Sequence, residues 1–421
     1  MKPVLNAIAL AAILLAFQPF CYAGDGVPAY LQPVAELLSR NDVRMMPVGG
    51  NDLEVITDGE RQWELMLHDI NNARQSIYME YYRWANDDAG RQIHDAVLRK
   101  IREGLDVKIL LEDLCNPFYP KSYYEELKAA GAQVAFYTDF ERQLWEVLPG
   151  INIRNHRKII VIDDCLGYIG GRNIADHYRY TWRDTHMRLS GPAVAQLRKL
   201  FMDMWIYRRA PQQNNVQEPT KTGWKEVVTP VSDQNMPFPF RDKTLQMATS
   251  GEGDTLLEKS VCLVLQLARQ SVYIQTPYFC PTDTLLSCMQ AAAQRGVDVR
   301  VCLPKESDSG LMTLANQSYY EECLSQKIRI FEYEPRFNHS KVVLCDGCFS
   351  MIGSMNMDSR SLCINYEDMA AVYDTEVGEA CRLEFLSLLD QSHEVSLEEV
   401  QAWPKKEKSA RIFWRYHSGQ L

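Results

Sequence analysis

Two stretches of this 421-residue chain put ionisable residues where a buried strand should run: NHRKIIVID at 155–163 and NHSKVVLCD at 338–346. Each spells H-x-K-x-x-x-x-D, and six residues after each aspartate stands a second matched cluster. In the first half it is Gly170-Gly171-Arg172-Asn173, in the second Gly353-Ser354-Met355-Asn356. Side chains alternate faces along a strand, so His156 shares a face with Lys158, and His339 with Lys341. Asp163 and Asp346 stand seven residues from their histidines, an odd offset, and are expected to face away from them toward a turn. The segments DCLGYI and GCFSMI read as hairpins that return beside the histidine strands. The glycines there allow close backbone approach, which lets Asn173 and Asn356 reach the site.

Lysines and amide donors converging from two halves make a pocket for an anionic tetrahedral group such as a phosphate. Two histidines facing each other across that phosphorus can divide the work, one attacking it and the other protonating the departing oxygen. The lysines already neutralise charge and would repel a cation, so no metal and no cofactor are expected. Two carboxylates fit the same scheme. Asp184 lies 28 residues after His156, and Glu367 lies 28 after His339. A carboxylate that accepts a proton from one ring nitrogen fixes the tautomer and makes the other nitrogen a better nucleophile, the role expected for both. His68, His177 and His186 have no matched partner and are left aside.

The elements that must position these groups are themselves written twice. ARQSIYMEYY at 73 matches ARQSVYIQTPYF at 268; a helical stretch and a Gly-led strand follow in each case, IHDAVLRKIREGLDVKILLED and LLSCMQAAAQRGVDVRVCLPK. A further helix and strand come next, then the H-x-K strand. The order β-α-β-α-β-β predicts an α/β fold of two pseudo-twofold-related domains, each a mixed sheet flanked by helices, with the active site at their interface. The expected boundaries are a first domain at 46–207, a Pro/Gln/Asn-rich linker at 208–245 and a second domain at 246–395. A lead-in at 24–45 precedes them and a tail at 396–421 follows.

A formal charge of −10 and a pI near 5.4 argue against a nucleic-acid coat, which gains affinity from a basic face. The first 23 residues carry one Lys, an apolar run from Val4 to Phe17 and the triplet Cys21-Tyr22-Ala23, the pattern of a cleaved secretory signal. Export to the extracytoplasmic or periplasmic face of the membrane is therefore expected. Of the 12 cysteines, Cys262, Cys302 and Cys345 sit inside apolar runs and read as buried hydrophobes; Cys345 and Cys348 straddle a turn.

The paired motifs resemble the signature of the phospholipase D superfamily, over roughly residues 45–395. Within it, RNHRKIIVID, GYIGGRNIADHY, WRDTH, YFCPTDTLL, RGVDVRVCLP and GSMNMDSRSLCINYE are similar to the bacterial cardiolipin synthases. The resemblance implies a catalytic set of His156, Lys158, Asp163, His339, Lys341 and Asp346, with Asn173, Asn356 and Ser354 binding phosphate. It also implies a ping-pong phosphatidyl transfer from phosphatidylglycerol to a second phosphatidylglycerol, with His156 as nucleophile and His339 as acid and base. A phospholipase D hydrolase would use the same histidines, and a nucleic-acid phosphodiesterase is the remote alternative. The expected partners are phospholipids and a membrane surface bound peripherally. Candidate contacts are Leu144, Trp145 and Leu148, the segment NPFYPKSYY at 116–124, and the basic tail 405–417 with Phe413 and Trp414.

Overall fold

The computed structural model describes residues 26–112, 122–137, 153–209 and 236–417. The first half supplies strands β1 (Val48–Ile56), β2 (Ser76–Tyr81), β3 (Asp106–Leu111), β4 (Gln133–Phe136), β5 (Lys158–Ile162), β6 (Leu166–Gly170) and β7 (His186–Ser190). The second supplies β8 (Phe240–Ser250), β9 (Ser271–Gln275), β10 (Phe279–Cys280), β11 (Asp298–Pro304), β12 (Arg329–Tyr333), β13 (Val342–Cys345), β14 (Phe349–Gly353), β15 (Met357–Asp358), β16 (Glu367–Tyr373) and β17 (Ser392–Val395). Strands β10 and β15 pair with each other; the other 15 form one continuous sheet.

Outward from the centre the first half runs β1-β7-β6-β5-β2-β3-β4, and the second β8-β16-β14-β13-β9-β11-β12, with β17 added at the edge. Each half is mixed: β2, β3 and β4 are parallel, as are β9, β11 and β12, while the histidine strands β5 and β13 pair antiparallel on both sides. The seam is the antiparallel pair β1–β8, whose register shifts twice. Buried Asn51 bridges that irregularity. Its amide donates to Val48 O (2.7 Å) and Lys243 O (3.0 Å) and accepts from Ala193 N (2.8 Å).

Helix ends follow their caps. Asp58 accepts from Arg61 N and Asp87 from Gly90 N, satisfying first-turn amides of helices Gly59–Asn72 and Asp88–Arg102. The matched Gly104 and Gly296, at φ +93° and +92°, turn the chain from helix into β3 and β11. Along β5, Ile159 and Val161 pack with helix residues Leu197, Phe201 and Trp205 on one face, and Ile160 and Ile162 pack with Trp63 and Ile70 on the other. A strand buried on both faces reads as a continuous apolar run, which explains KIIVI and VVLC. Cys262, Cys302 and Cys345 are buried thiols within these clusters.

Two expectations need adjusting. The halves share one sheet, and each opens with a seam strand that the repeat comparison did not find. Strand β8 begins at Phe240, so the boundary placed at 246 falls inside it. The tail forms helix Lys405–His417, packed through Arg411 over Trp403 (3.9 Å) and Arg415 over Tyr319 (4.1 Å), with Ile412 and Phe413 exposed. The N-terminal 23 residues, Leu144, Trp145, Leu148 and residues 116–121 lie outside the described residues. Among those described, no helix is long and apolar enough to cross a membrane.

Candidate active site

His156 lies two residues before β5 and His339 three before β13, and the backbone there pairs with the opposite half. His156 N donates to Tyr366 O (2.9 Å) and Tyr366 N to Arg154 O (2.8 Å); His339 N donates to Arg183 O (2.7 Å) and Arg183 N to Phe337 O (2.9 Å). The residues that follow Tyr366 and Arg183 are Glu367 and Asp184. The carboxylates are thereby delivered across the pseudo-twofold. His156 Nδ1 lies 2.9 and 3.0 Å from the two Glu367 oxygens, and His339 Nδ1 lies 2.6 Å from Asp184 Oδ2. The equal 28-residue spacing identified both carboxylates, yet each serves the histidine of the other half.

With Nδ1–H committed to a carboxylate, each ring is fixed in the tautomer whose Nε2 carries the free lone pair. Lys341 Nζ also lies 3.0 Å from His339 Nδ1, but a nitrogen whose hydrogen points at Asp184 cannot accept from it; the ammonium donates to His339 O instead, as Lys158 Nζ does to His156 O. All four carboxylate and lysine side chains are fully buried. Burial drives the lysines down, Lys158 to about 7 and Lys341 to about 8, and for Lys158 the charge of Lys341 adds to the fall. Burial likewise lowers His156 to about 4 and His339 to about 3, nearby lysine charge reinforcing it and the carboxylates opposing it. Burial pushes Asp184 and Glu367 upward, but their histidines and lysines outweigh it and hold both below the ordinary range. The site thus sets two buried lysines against two ionised carboxylates, away from water.

The two halves differ in how they hold the carboxylate. Glu367 accepts from Ser354 Oγ and from Ser361 Oγ (2.7 Å), while Asp184, one methylene shorter, accepts from its neighbour Thr185 N (2.7 Å). Asp184 occupies the space that a side chain at Gly171 would need: a Cβ there would stand 2.3 Å from Asp184 Oδ1. Ser354 is therefore corrected from phosphate ligand to support for Glu367, since its hydroxyl also accepts from Asp368 N (2.9 Å) and is fully buried. Asn173 spends one amide hydrogen on the Tyr178 hydroxyl (2.9 Å) and accepts from Arg83 N (3.1 Å), keeping one hydrogen for a ligand. Asn356 Oδ1 is buried without a hydrogen-bond partner.

Asp163 and Asp346 do not reach the histidines. With φ near +52° and +51°, each sits on a turn and accepts from three successive amides: Arg74, Gln75 and Ser76 for Asp163, and Arg269, Gln270 and Ser271 for Asp346. They clamp the entrances to β2 and β9, as strand parity required, and leave the catalytic set. Sequence spacing missed the aromatic walls. Tyr82 meets His156 edge-on at 4.8 Å, and Tyr178, Trp182, Tyr278 and Phe337 surround His339 at 5.2–6.4 Å. Tyr82 ends YMEYY and Tyr278 is the last residue but one of TPYF, in the matched segments that mark them. His186 lies behind Gly170, where a Cβ would come 2.4 Å from its Nδ1, and His177 packs on Trp182 at 4.3 Å.

A duplicated α/β sheet with two histidine–lysine pairs, each histidine backed by a carboxylate from the other half, defines the two-motif phospholipase D class. The family model for "cardiolipin synthase, PLD-like domain" matches residues 66–205 and 261–389, and the chain belongs to that family. It is 32% identical over 372 residues to a cardiolipin synthase of Alkalihalophilus pseudofirmus, covering 86% of this chain and 70% of that one. Identity to a cardiolipin synthase of Geobacillus kaustophilus is 30% over 422 residues, 97% of this chain and 81% of the relative. The crystal structure of phosphatidylserine synthase from Haemophilus influenzae shares the fold, with a TM-score of 0.66 at 15% identity, over 92% of this chain and 98% of that one.

Proposed function

We propose that this enzyme, a phosphatidyltransferase of the cardiolipin synthase type, transfers a phosphatidyl group from one phosphatidylglycerol to another through a phosphohistidine on His156. The carrying observation is the crossed pair of histidine–carboxylate contacts around two buried lysines. A phosphodiester seated between Lys158 and Lys341 adds negative charge beside both and relieves their repulsion. Its charge also offsets the lysine field that depresses His339, favouring the imidazolium needed as acid. His156 Nε2 then attacks phosphorus; the P–N bond forms as the P–O bond to glycerol breaks, and His339 gives its proton to the departing oxygen. In the second half-reaction the incoming hydroxyl gives its proton to His339, its oxygen bonds phosphorus and the P–N bond breaks.

Substrates of this class reside in a membrane, and a peripheral mode of attachment is supported by the C-terminal helix. Ile412 and Phe413 are each 53% exposed there, on a helix that also carries exposed Lys405 and Lys406. The apolar leader at Val4–Phe17 supports action on the extracytoplasmic face. The test incubates the purified chain with labelled phosphatidylglycerol vesicles and resolves the lipids. Diphosphatidyl product with free glycerol supports the transferase; phosphatidic acid as sole product overturns it in favour of a hydrolase. A protease-protection assay on intact cells that finds the domain inside the cytoplasm overturns the proposed location.

A further inference from the structure

Beside His339 opens a cavity of about 500 Å³ lined by Trp182, Tyr333 and Phe337, by the acidic Glu306, Asp308 and Glu334, and by Lys305, Ser307 and Arg336. That volume suits a headgroup rather than a lone ion. Three links join it to the histidine. Trp182 and Phe337 form its wall and also touch the His339 ring, at 5.5 and 5.9 Å. Tyr278, 6.4 Å from the same ring, donates its hydroxyl to the Asp308 oxygens at 2.9 and 3.0 Å. Only Glu334–Asn338 separate β12 from His339, so the cavity lies directly along the approach to that ring.

Its charges are unequal in engagement. Lys305 is paired with Glu334 at 2.7 Å, and Ser307 Oγ donates to Asp308 Oδ1 at 3.1 Å. Arg336 is exposed and makes no hydrogen bond or ion pair among the described residues. One unengaged guanidinium beside a serine hydroxyl and a carboxylate is a donor–acceptor set for one phosphate and adjacent hydroxyls.

We propose that this groove is the acceptor site of the transfer, and the inference rests on the proposed function. It takes the glycerophosphate headgroup of the second phospholipid, with Arg336 on the phosphodiester and Ser307 and Asp308 on the glycerol hydroxyls. A hydroxyl held there lies on the His339 side of the phosphohistidine. Its proton goes to His339 Nε2, its oxygen bonds phosphorus and the P–N bond to His156 breaks. Water that enters an unfilled groove takes the same route and yields phosphatidic acid, so occupancy of the groove sets the ratio of the two products.

The test measures that ratio for the full chain on vesicles of labelled phosphatidylglycerol. Arg336→Ala, a change at an exposed and unpaired residue, is expected to lower diphosphatidyl product relative to phosphatidic acid by about 10- to 100-fold, the worth of one charge-assisted hydrogen bond. Arg336→Lys, which keeps the charge and loses the fork, should fall between. An unchanged ratio in Arg336→Ala overturns the site, including the case where both products fall together, which places Arg336 on the donor instead. Wild-type protein that forms no diphosphatidyl product overturns the transferase function itself, and the acceptor site with it.

Discussion

Glu367, in the second half, holds His156 of the first through contacts of 2.9 and 3.0 Å, while Asp184, in the first half, holds His339 of the second at 2.6 Å. Neither half contains a complete histidine–carboxylate unit. The active site therefore exists only when the two copies of the fold are joined along the β1–β8 seam, and the crossing gives each carboxylate a distinct kinetic signature.

Removing the negative charge from either carboxylate leaves its histidine free to take the wrong tautomer. Glu367→Gln should slow formation of the phosphohistidine, and Asp184→Asn should slow proton transfer at His339, each by about 10²- to 10⁴-fold. Rapid-quench measurement of the adduct separates them. Glu367→Gln with a normal burst of adduct would show that His156 is not the nucleophile.

The lysines tie substrate binding to pH. Each is charged below its folded pKa and loses that charge above it, so with Lys158 at about 7 and Lys341 at about 8 the empty site sheds positive charge across that interval. Affinity for the anionic lipid should therefore fall as pH rises from 7 to 9, seen as a declining kcat/KM. A kcat/KM that stays flat over this range would mean that both lysines remain charged in the free enzyme.

The same burial costs stability in the free protein. Between about pH 7 and 10.5 an unfolded lysine holds a proton that folded Lys158 has lost, so its contribution to stability rises with pH through that window. Lys158→Met removes the penalty: unfolding free energy at pH 6 should rise by on the order of 1 kcal/mol or more, seen as a higher Tm, while transfer is abolished. A lower Tm would show that the bond from Lys158 to His156 O outweighs the desolvation.

Gly171 is fixed by its neighbour, not by backbone freedom. Adding only a methyl in Gly171→Ala drives a Cβ to 2.3 Å from Asp184 Oδ1 and must displace the carboxylate. Activity should drop by at least about 10²-fold, the cost of a misplaced general acid–base partner, although the second half carries Ser354 at the matching position. An active Gly171→Ala would show that Asp184 can move without losing His339.

Asp163 has the opposite profile. Asp163→Ala deprives three backbone amides of their acceptor and strains a left-handed turn, for a loss of about 1–3 kcal/mol in urea unfolding. The rate per folded molecule should change little, because the carboxylate touches neither histidine. A stable but inactive variant would return Asp163 to the chemistry.

By itself the sequence determined the duplicated α/β plan, the two histidine–lysine pairs, both supporting carboxylates and the structural place of Asp163 and Asp346. These depend on period, parity and repetition, which are local properties of a chain. The crossing of the carboxylates, the reassignment of Ser354, the aromatic walls around His339 and the groove holding Arg336 were decided only by tertiary structure. The physical reason is that backbone bridges such as Asn155 to Tyr366 and Arg183 to Asn338 join segments 211 and 155 residues apart. Spacing inside one half identifies which groups are matched, but only the packing of both halves on one sheet determines which of them meet.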